Sequence, residues 1–231
     1  MPEVVITFED AAVIGDVSFH PCVRVDRWER ERVVAFVPLD GTSFELMRFR
    51  AAKHATARLV SAPFAPVYCN LLVTTAPPPP ATPEAGSGQP PGAATTLTGR
   101  LEIVVGARPS AGASSPAEDV CVRLPLPPKA RFLEAKAGDG TVSFNDRTCV
   151  WRIGTVALGG PAARLTGSFH LPADQATASV TALLEFSVPA KPLSGLKIQS
   201  LQIPNQPYAF YKGVKSIVKA GEFQVRTAAV R

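Results

Sequence analysis

The sequence predicts an all-β fold, on three observations. Short runs with period-two alternation recur along most of the chain. Turn chemistry separates them: 23 prolines and 17 glycines punctuate 231 residues. Helical periodicity is missing almost everywhere, and Asp174–Ser179 reads at most as a turn. Many short strands between Gly/Pro turns argue for a sandwich, and 231 residues can bury a core as one domain or as two small ones.

Taken in order, Val4–Phe8 is a short apolar strand, and Asp16–Val25 alternates less cleanly. The charges of Arg24–Arg32 are mixed in sign, so this run reads as the solvated entrance to a strand at Val33–Val37. Pro38-Leu39-Asp40-Gly41 has turn chemistry, with Pro fixing φ and Gly taking φ > 0. Phe44–Arg50 is a strand, so residues 33–50 read as a hairpin. Val67–Val73 and Leu101–Val105 are strands flanking Thr74–Thr98. That Pro-rich stretch is too poor in apolar residues to order itself and reads as a mobile insertion in a hairpin. A Pro-rich ligand for a small recognition domain is the functional alternative. Val120–Leu124, Arg131–Leu133, Thr141–Phe144, Cys149–Ile153, Ala163–His170 and Val180–Val188 are further strands.

Residues 193–227 read as three strands. Leu196 and Ile198 share one face while Leu201 and Ile203 share the other, so a bulge or bend is expected at Gln199 and Ser200. Pro204 to Pro207 break the run. Val214, Ser216 and Val218 alternate with Lys215 and Ile217; Lys219-Ala220-Gly221 reads as a hairpin turn before Phe223 and Val225. This end also carries the charge. From Gly195 to Arg231, Lys197, Lys212, Lys215, Lys219, Arg226 and Arg231 face Glu222 alone, which matches the net +5 of the whole chain. A basic, strand-rich C-terminus suits an edge on which a peptide docks.

Composition excludes several classes. No apolar run approaches the roughly 20 residues of a membrane span, and the N-terminus lacks the pattern of a signal peptide. A net charge of +5 on this length is too weak to imply nucleic acid. Cys22, Cys69, Cys121 and Cys149 lie far apart with no C-x-x-C pair, and read as reduced, mostly buried thiols. His20, His54 and His170 have no ligand spacing, so no metal is expected. No cofactor motif, G-x-S-x-G or phosphate loop is present. An enzyme on a β-sandwich therefore has no constellation to support it. Trp28 and Trp151 read as core anchors.

Several strings carry a resemblance. They are Asp16–Arg24, Arg27-Trp28-Glu29-x-Glu31-Arg32, Phe36-Val37-Pro38-x-Asp40-Gly41 and Phe44-Glu45-Leu46-Met47 near the start. At the end stand Ser194–Ile198, Lys212-Gly213-Val214-Lys215 and Lys219-Ala220-Gly221-Glu222-Phe223-Gln224-Val225-Arg226-Thr227. These resemble the medium (mu) subunits of heterotetrameric clathrin-adaptor complexes, most closely the form in adaptor protein complex 3. The resemblance implies two β-sandwich (immunoglobulin-like) subdomains in an elongated arrangement, the second inserted in the first. The first would be residues 1–53 plus 190–231, and the second 54–189, with the Pro-rich loop at 74–98.

The resemblance also implies a function: binding cytosolic tails of membrane proteins through Tyr-x-x-Φ, where Φ is a bulky apolar residue. The Φ pocket would map to Ile198, Leu201, the aliphatic stem of Lys212, and Val214. Lys215 would stand beside the tyrosine ring, and Gly213 where the better-known form has Trp. That form has Arg at the Lys215 position; Lys keeps a cation near the ring but loses planar stacking. The family's tyrosine pocket also uses an aromatic, an Asp and a Lys on the first two strands of the domain. By this alignment the chain starts after them, and after the N-terminal domain that assembles with two large subunits and one small. The implied setting is cytoplasmic, peripheral on Golgi and endosome membranes and coated vesicles, in transport toward lysosome-like organelles. Contact with the membrane surface would be indirect, since Lys136, Arg131 and Arg147 are offset by Glu134, Asp139 and Asp146. The rival from another class is a structural coat-assembly module that has lost cargo binding.

Overall fold

A computed structural model describes residues 2–53, 65–76, 96–109, 115–145, 147–172, 179–189, 192–207 and 209–227. The chain begins with β1 (Val4–Phe8), β2 (Ile14–Phe19), helix α1 (Val25–Glu31), β3 (Val34–Phe36) and β4 (Met47–Ala51). Eight strands follow: β5 (Val67–Ala76), β6 (Thr96–Ala107), β7 (Ala117–Pro125), β8 (Arg131–Ala137), β9 (Thr141–Asn145), β10 (Thr148–Val156), β11 (Ala163–Pro172) and β12 (Thr181–Pro189). β13 (Ile198–Gln202) and β14 (Ile217–Arg226) close the chain. The elements group into two units, Met1–Phe64 with Ala190–Val218, and Ala65–Pro189 with Lys219–Arg231.

The first unit holds a three-stranded sheet, β13-β1-β3, and a two-stranded sheet, β2-β4. Its core is Val4, Ile6, Ile14, Val23, Trp28, Val34 and Phe36. Trp28 is the anchor, with Phe8 and Phe19 packed edge-on against its ring. The expected bulge is present: β1 and β13 shift register where Thr7 pairs Ser200 and Phe8 pairs Ile198, leaving Gln199 over.

Three local expectations fail, two in this unit and one at its C-terminal border. The charged run is the helix α1, held by Asp26–Arg30 and Arg27–Glu31 pairs at 2.8 and 2.7 Å one turn apart. Arg32 ends the helix with φ of 56°. A seven-residue helix that buries only Trp28 shows no apolar period. The hairpin over residues 33–50 does not form either: β3 pairs β1, and β4 pairs β2. All three residues of β3 are buried, while β4 alternates half-buried and exposed. The two strands therefore suit different sheets, and Gly41, at φ of 69°, turns the chain between them. Finally, residues 219–221 form no hairpin. Gly221 does not take positive φ, and β14 runs straight through it. Val214 and Ser216 lie outside any strand.

The second unit is made of a four-stranded sheet, β5-β6-β11-β8, and a five-stranded sheet, β14-β12-β7-β10-β9, to which β14 contributes from Lys219 on. Alternate residues are buried with clean period two, as along β12, where Ala182, Leu184, Phe186 and Val188 are buried and their neighbours half-buried. Trp151 is 1% exposed, and its Nε1 donates to the Asp139 carbonyl at 2.8 Å. β5 and β6 pair out to Ala76↔Thr98, so the hairpin stands on the described side of the Pro-rich stretch. Residues 77–95 and 173–178 lie outside the described residues. β14 neighbours β12, and Phe223 meets Phe186 edge-on. Residues from Lys219 onward thus group with the second unit, whereas the sequence placed 190–231 with the first.

All four cysteines are free thiols. Burial pushes Cys69 and Cys149 up to about 11, and burial with the nearby Glu185 raises Cys121. Among the described residues no helix is long and apolar enough to cross a membrane, and no His/Cys/Asp/Glu group is placed to hold a metal.

Candidate functional site

The bulge at Gln199 sets up the site. Ile6 and Phe8 sit two apart on β1 and so share a face. Their partners, Leu201 and Ile198, are three apart on β13. The extra residue brings both onto that same face despite opposite phases in the sequence. On the other face Thr7 and Ser200 join hydroxyls at 2.8 Å.

Beyond Phe8 and Ile198 the apolar face is not covered. It opens into a groove of about 550 Å³, wholly within the first unit. Ile6, Phe8 and Val34 line its sheet side, together with Leu46, which leads into β4, and Met47, which begins it. The hydrogen bond from His20 N to the Leu46 carbonyl, 2.9 Å, fixes that segment. Leu196, Ile198, Val214 and Ile217 line the C-terminal side. Three of these are exposed: Ile198 by 37%, Ile217 by 43% and Val214 by 61%. Lys197, Lys215 and Ser216 supply the polar side chains, and no carboxylate lines the groove.

The six residues expected to bind peptide divide. Ile198, Val214 and Lys215 line the groove. Leu201 packs against the core of the first unit, and the Lys212 ammonium donates to its carbonyl at 3.3 Å. That ammonium also stands 5.7 Å from the Phe210 ring centre. Gly213 faces open space, so a side chain could be built there without a clash. Sequence reasoning missed Ile6, Phe8, Leu46, Met47 and Ile217 as lining. The readable signal was Phe8, an apolar residue ending a strand that needed a partner.

Two cations at the rim differ. Lys197 is tied down: its carbonyl accepts from Glu9 N at 3.0 Å, and its ammonium pairs with the Glu9 carboxylate at 2.8 Å. Lys215 is exposed and makes no ion pair among the described residues. An apolar floor beside an unpaired cation can hold a bulky apolar side chain and a negative charge together.

Known proteins resemble the chain over nearly its whole length. Residues 1–227 match the model of the adaptor complexes medium subunit family. The AP-3 complex subunit mu-2 of Rattus norvegicus is 31% identical over 98% of this chain and 49% of its own length. The AP-3 complex subunit mu of Dictyostelium discoideum is 30% identical over the same shares. The chain thus spans about half the length of these curated relatives. Among structures, the Danio rerio Fcho1 Mu homology domain with bound Eps15 peptide superposes with a TM-score of 0.57 at 13% identity, covering 97% of this chain and 78% of that one. A homology model of the full-length AP-3 complex in an intermediate open conformation gives 0.54 at 17%, covering 98% and 58%. The fold is that of a mu-homology domain, and the chain belongs to the adaptor complexes medium subunit family.

Proposed function

We propose that the chain is the cargo-recognition domain of an adaptor-complex medium subunit, reading Tyr-x-x-Φ signals in the cytosolic tails of membrane proteins. The observation that supports this best is the open apolar groove at Ile198, Val214 and Ile217. The Φ side chain enters there, and burying one Leu stabilises the complex by about 1.5–3 kcal/mol. The peptide lies extended along residues 213–216, whose backbone joins no strand. Lys215 stands beside the tyrosine ring. Two large subunits and one small complete the assembly, which works on the cytoplasmic side of Golgi and endosome membranes and on coated vesicles. It serves transport toward lysosome-like organelles.

A second reading is a coat-assembly module without cargo binding. The absence of a strand at Val214 favours it, because a pre-formed edge would bind with less ordering cost. Methyl-resonance titration separates the two. A peptide carrying Tyr-x-x-Leu is expected to shift Ile198, Val214 and Ile217 methyl signals, and the Tyr-x-x-Ala peptide to leave them in place. Unmoved methyls with both peptides would decide for the coat-assembly reading.

A further inference from the structure

The four-stranded sheet of the second unit has one buried face, carrying Leu101, Ile103, Leu165 and Phe169. Side chains alternate along a strand, so Arg100 and Glu102 of β6, Thr166 and Ser168 of β11, and Glu134 and Lys136 of β8 stand on the other face. The register sets them in two rows. Glu102, Thr166 and Lys136 form one row, and Arg100, Ser168 and Glu134 the next. Leu72 and Thr74 of β5 extend the two rows. The short side chains of β11 lie between the longer ones of β6 and β8, and the face is a trench of about 500 Å³. Each wall carries one acid and one cation, in opposite order. Glu102 pairs with Arg164. Arg100, Glu134 and Lys136 are exposed and form no ion pair among the described residues.

We propose that a second copy of the chain docks on this face, sheet against sheet, about a two-fold axis that crosses the strands between the two rows. That operation lays each strand antiparallel over itself and exchanges the rows. Arg100 then faces Glu102 of the second copy, and Lys136 faces Glu134 of the second copy. One surface supplies both signs to itself, and all four strands overlap. Leu72, 55% exposed in the single chain, is covered by β5 of the second copy. An axis along β11 would leave β5 bare. A partner of one sign meets a like charge at two of the four positions, so the mixed pattern favours a copy over a purely acidic or basic surface.

The dimensions suit this packing. Sheets stack about 10 Å apart, within reach of a Lys–Glu or Arg–Glu pair end to end. Over the short hydroxyl side chains of β11 the same spacing leaves room for a layer of bridging water. Four strands about 4.8 Å apart and about nine residues long present roughly 600 Å². Two such faces bury about 1,200 Å², the low end for a specific complex, so the association is weak and sensitive to salt. It is independent of the peptide groove, which lies in the first unit.

The experiment is sedimentation equilibrium of the whole chain over a range of concentrations, at low and high salt. At low salt the mass is expected to rise toward twice that of one chain, and at high salt the dimer is expected to weaken about tenfold. Lys136→Glu sets carboxylate against carboxylate across the axis, and Glu134→Lys sets ammonium against ammonium. Each variant alone is expected to stay a single chain. Mixed in equal amounts, the two are expected to pair, because their faces complement each other again. The chain carrying both substitutions is expected to dimerise for the same reason. Damage to the fold does not produce that rescue. A wild-type chain that stays single at low salt, a dimer that both variants keep, or variants that fail to pair on mixing would each overturn the proposal.

Discussion

The two units use the same strand code to different ends. Of the twelve largest fully buried side chains among the described residues, eleven belong to the second unit, and only Val34 to the first. The second unit spends its apolar alternation on a closed interior, with ladders of nine to twelve residues in β6, β7, β10, β11 and β12. The first unit has strands of three to six residues, and part of its apolar face stays open. Apolar side chains left in solvent beside a cation offer a surface on which a partner could dock.

That contrast breaks most directly at Trp151. The side chain is fully buried and its Nε1 is satisfied by Asp139. Trp151→Ala is expected to cost about 3–5 kcal/mol in the second unit. Urea unfolding followed through Trp28 and through far-UV dichroism separates the units, since Trp28 then reports on the first alone. A loss under about 1 kcal/mol would show that the closed core is not what stabilises the second unit.

A smaller effect comes from pH. Cys69 and Cys149, both in the second unit, have thiols raised by burial from 9.0 to about 11. A thiol raised on folding gives its full stabilisation below the unfolded value and loses it as pH climbs through the folded value. The urea midpoint of the second unit should fall between pH 9.0 and about 11, and Cys69→Ala should flatten the fall. A midpoint unchanged over that window would mean that these thiols are solvated.

Much of this architecture could be read from the sequence, and unevenly so. The second unit was legible because long strands buried on one face display period two plainly, as along β12. The bulge at Gln199 was legible because a phase slip shows in the sequence itself. The first unit was harder. Its helix shows a single buried residue, and β3 is buried on both faces, so alternation is silent. The neighbour of a strand is set by tertiary packing: β3 chose β1 over the nearer β4. The groove was half legible. Ile198, Val214 and Lys215 fell to it, but its opposite wall comes from Ile6, Phe8 and Met47, more than 150 positions away in sequence, and no local pattern links them.

Shortening the β5–β6 connection should matter less than either change. Pairing is continuous to Ala76↔Thr98, so the ladder does not depend on the residues beyond it. Replacing 77–95 by a four-residue turn removes about two doublings of loop length, each about 0.6 kcal/mol. The second unit should melt about 2–4 °C higher, or unchanged within a few degrees. Calorimetry checks this, and loss of the folded state on deletion would assign the segment to the core.

The smallest stability effect should come where the functional effect is largest. Val214 is 61% exposed and joins no strand, so Val214→Ser removes little apolar contact from the folded chain. Its cost to unfolding should stay within about 0.5 kcal/mol. Val34, on the opposite wall of the same groove, is 0% exposed, and Val34→Ala leaves a cavity that costs roughly 1–3 kcal/mol. The pair isolates the open part of the first unit from its closed part. If Val214→Ser erases the methyl shifts induced by a Tyr-x-x-Leu peptide while the urea midpoint holds, the open apolar surface serves recognition. If the midpoint falls as far as it does for Val34→Ala, Val214 is core, and the groove closes in solution.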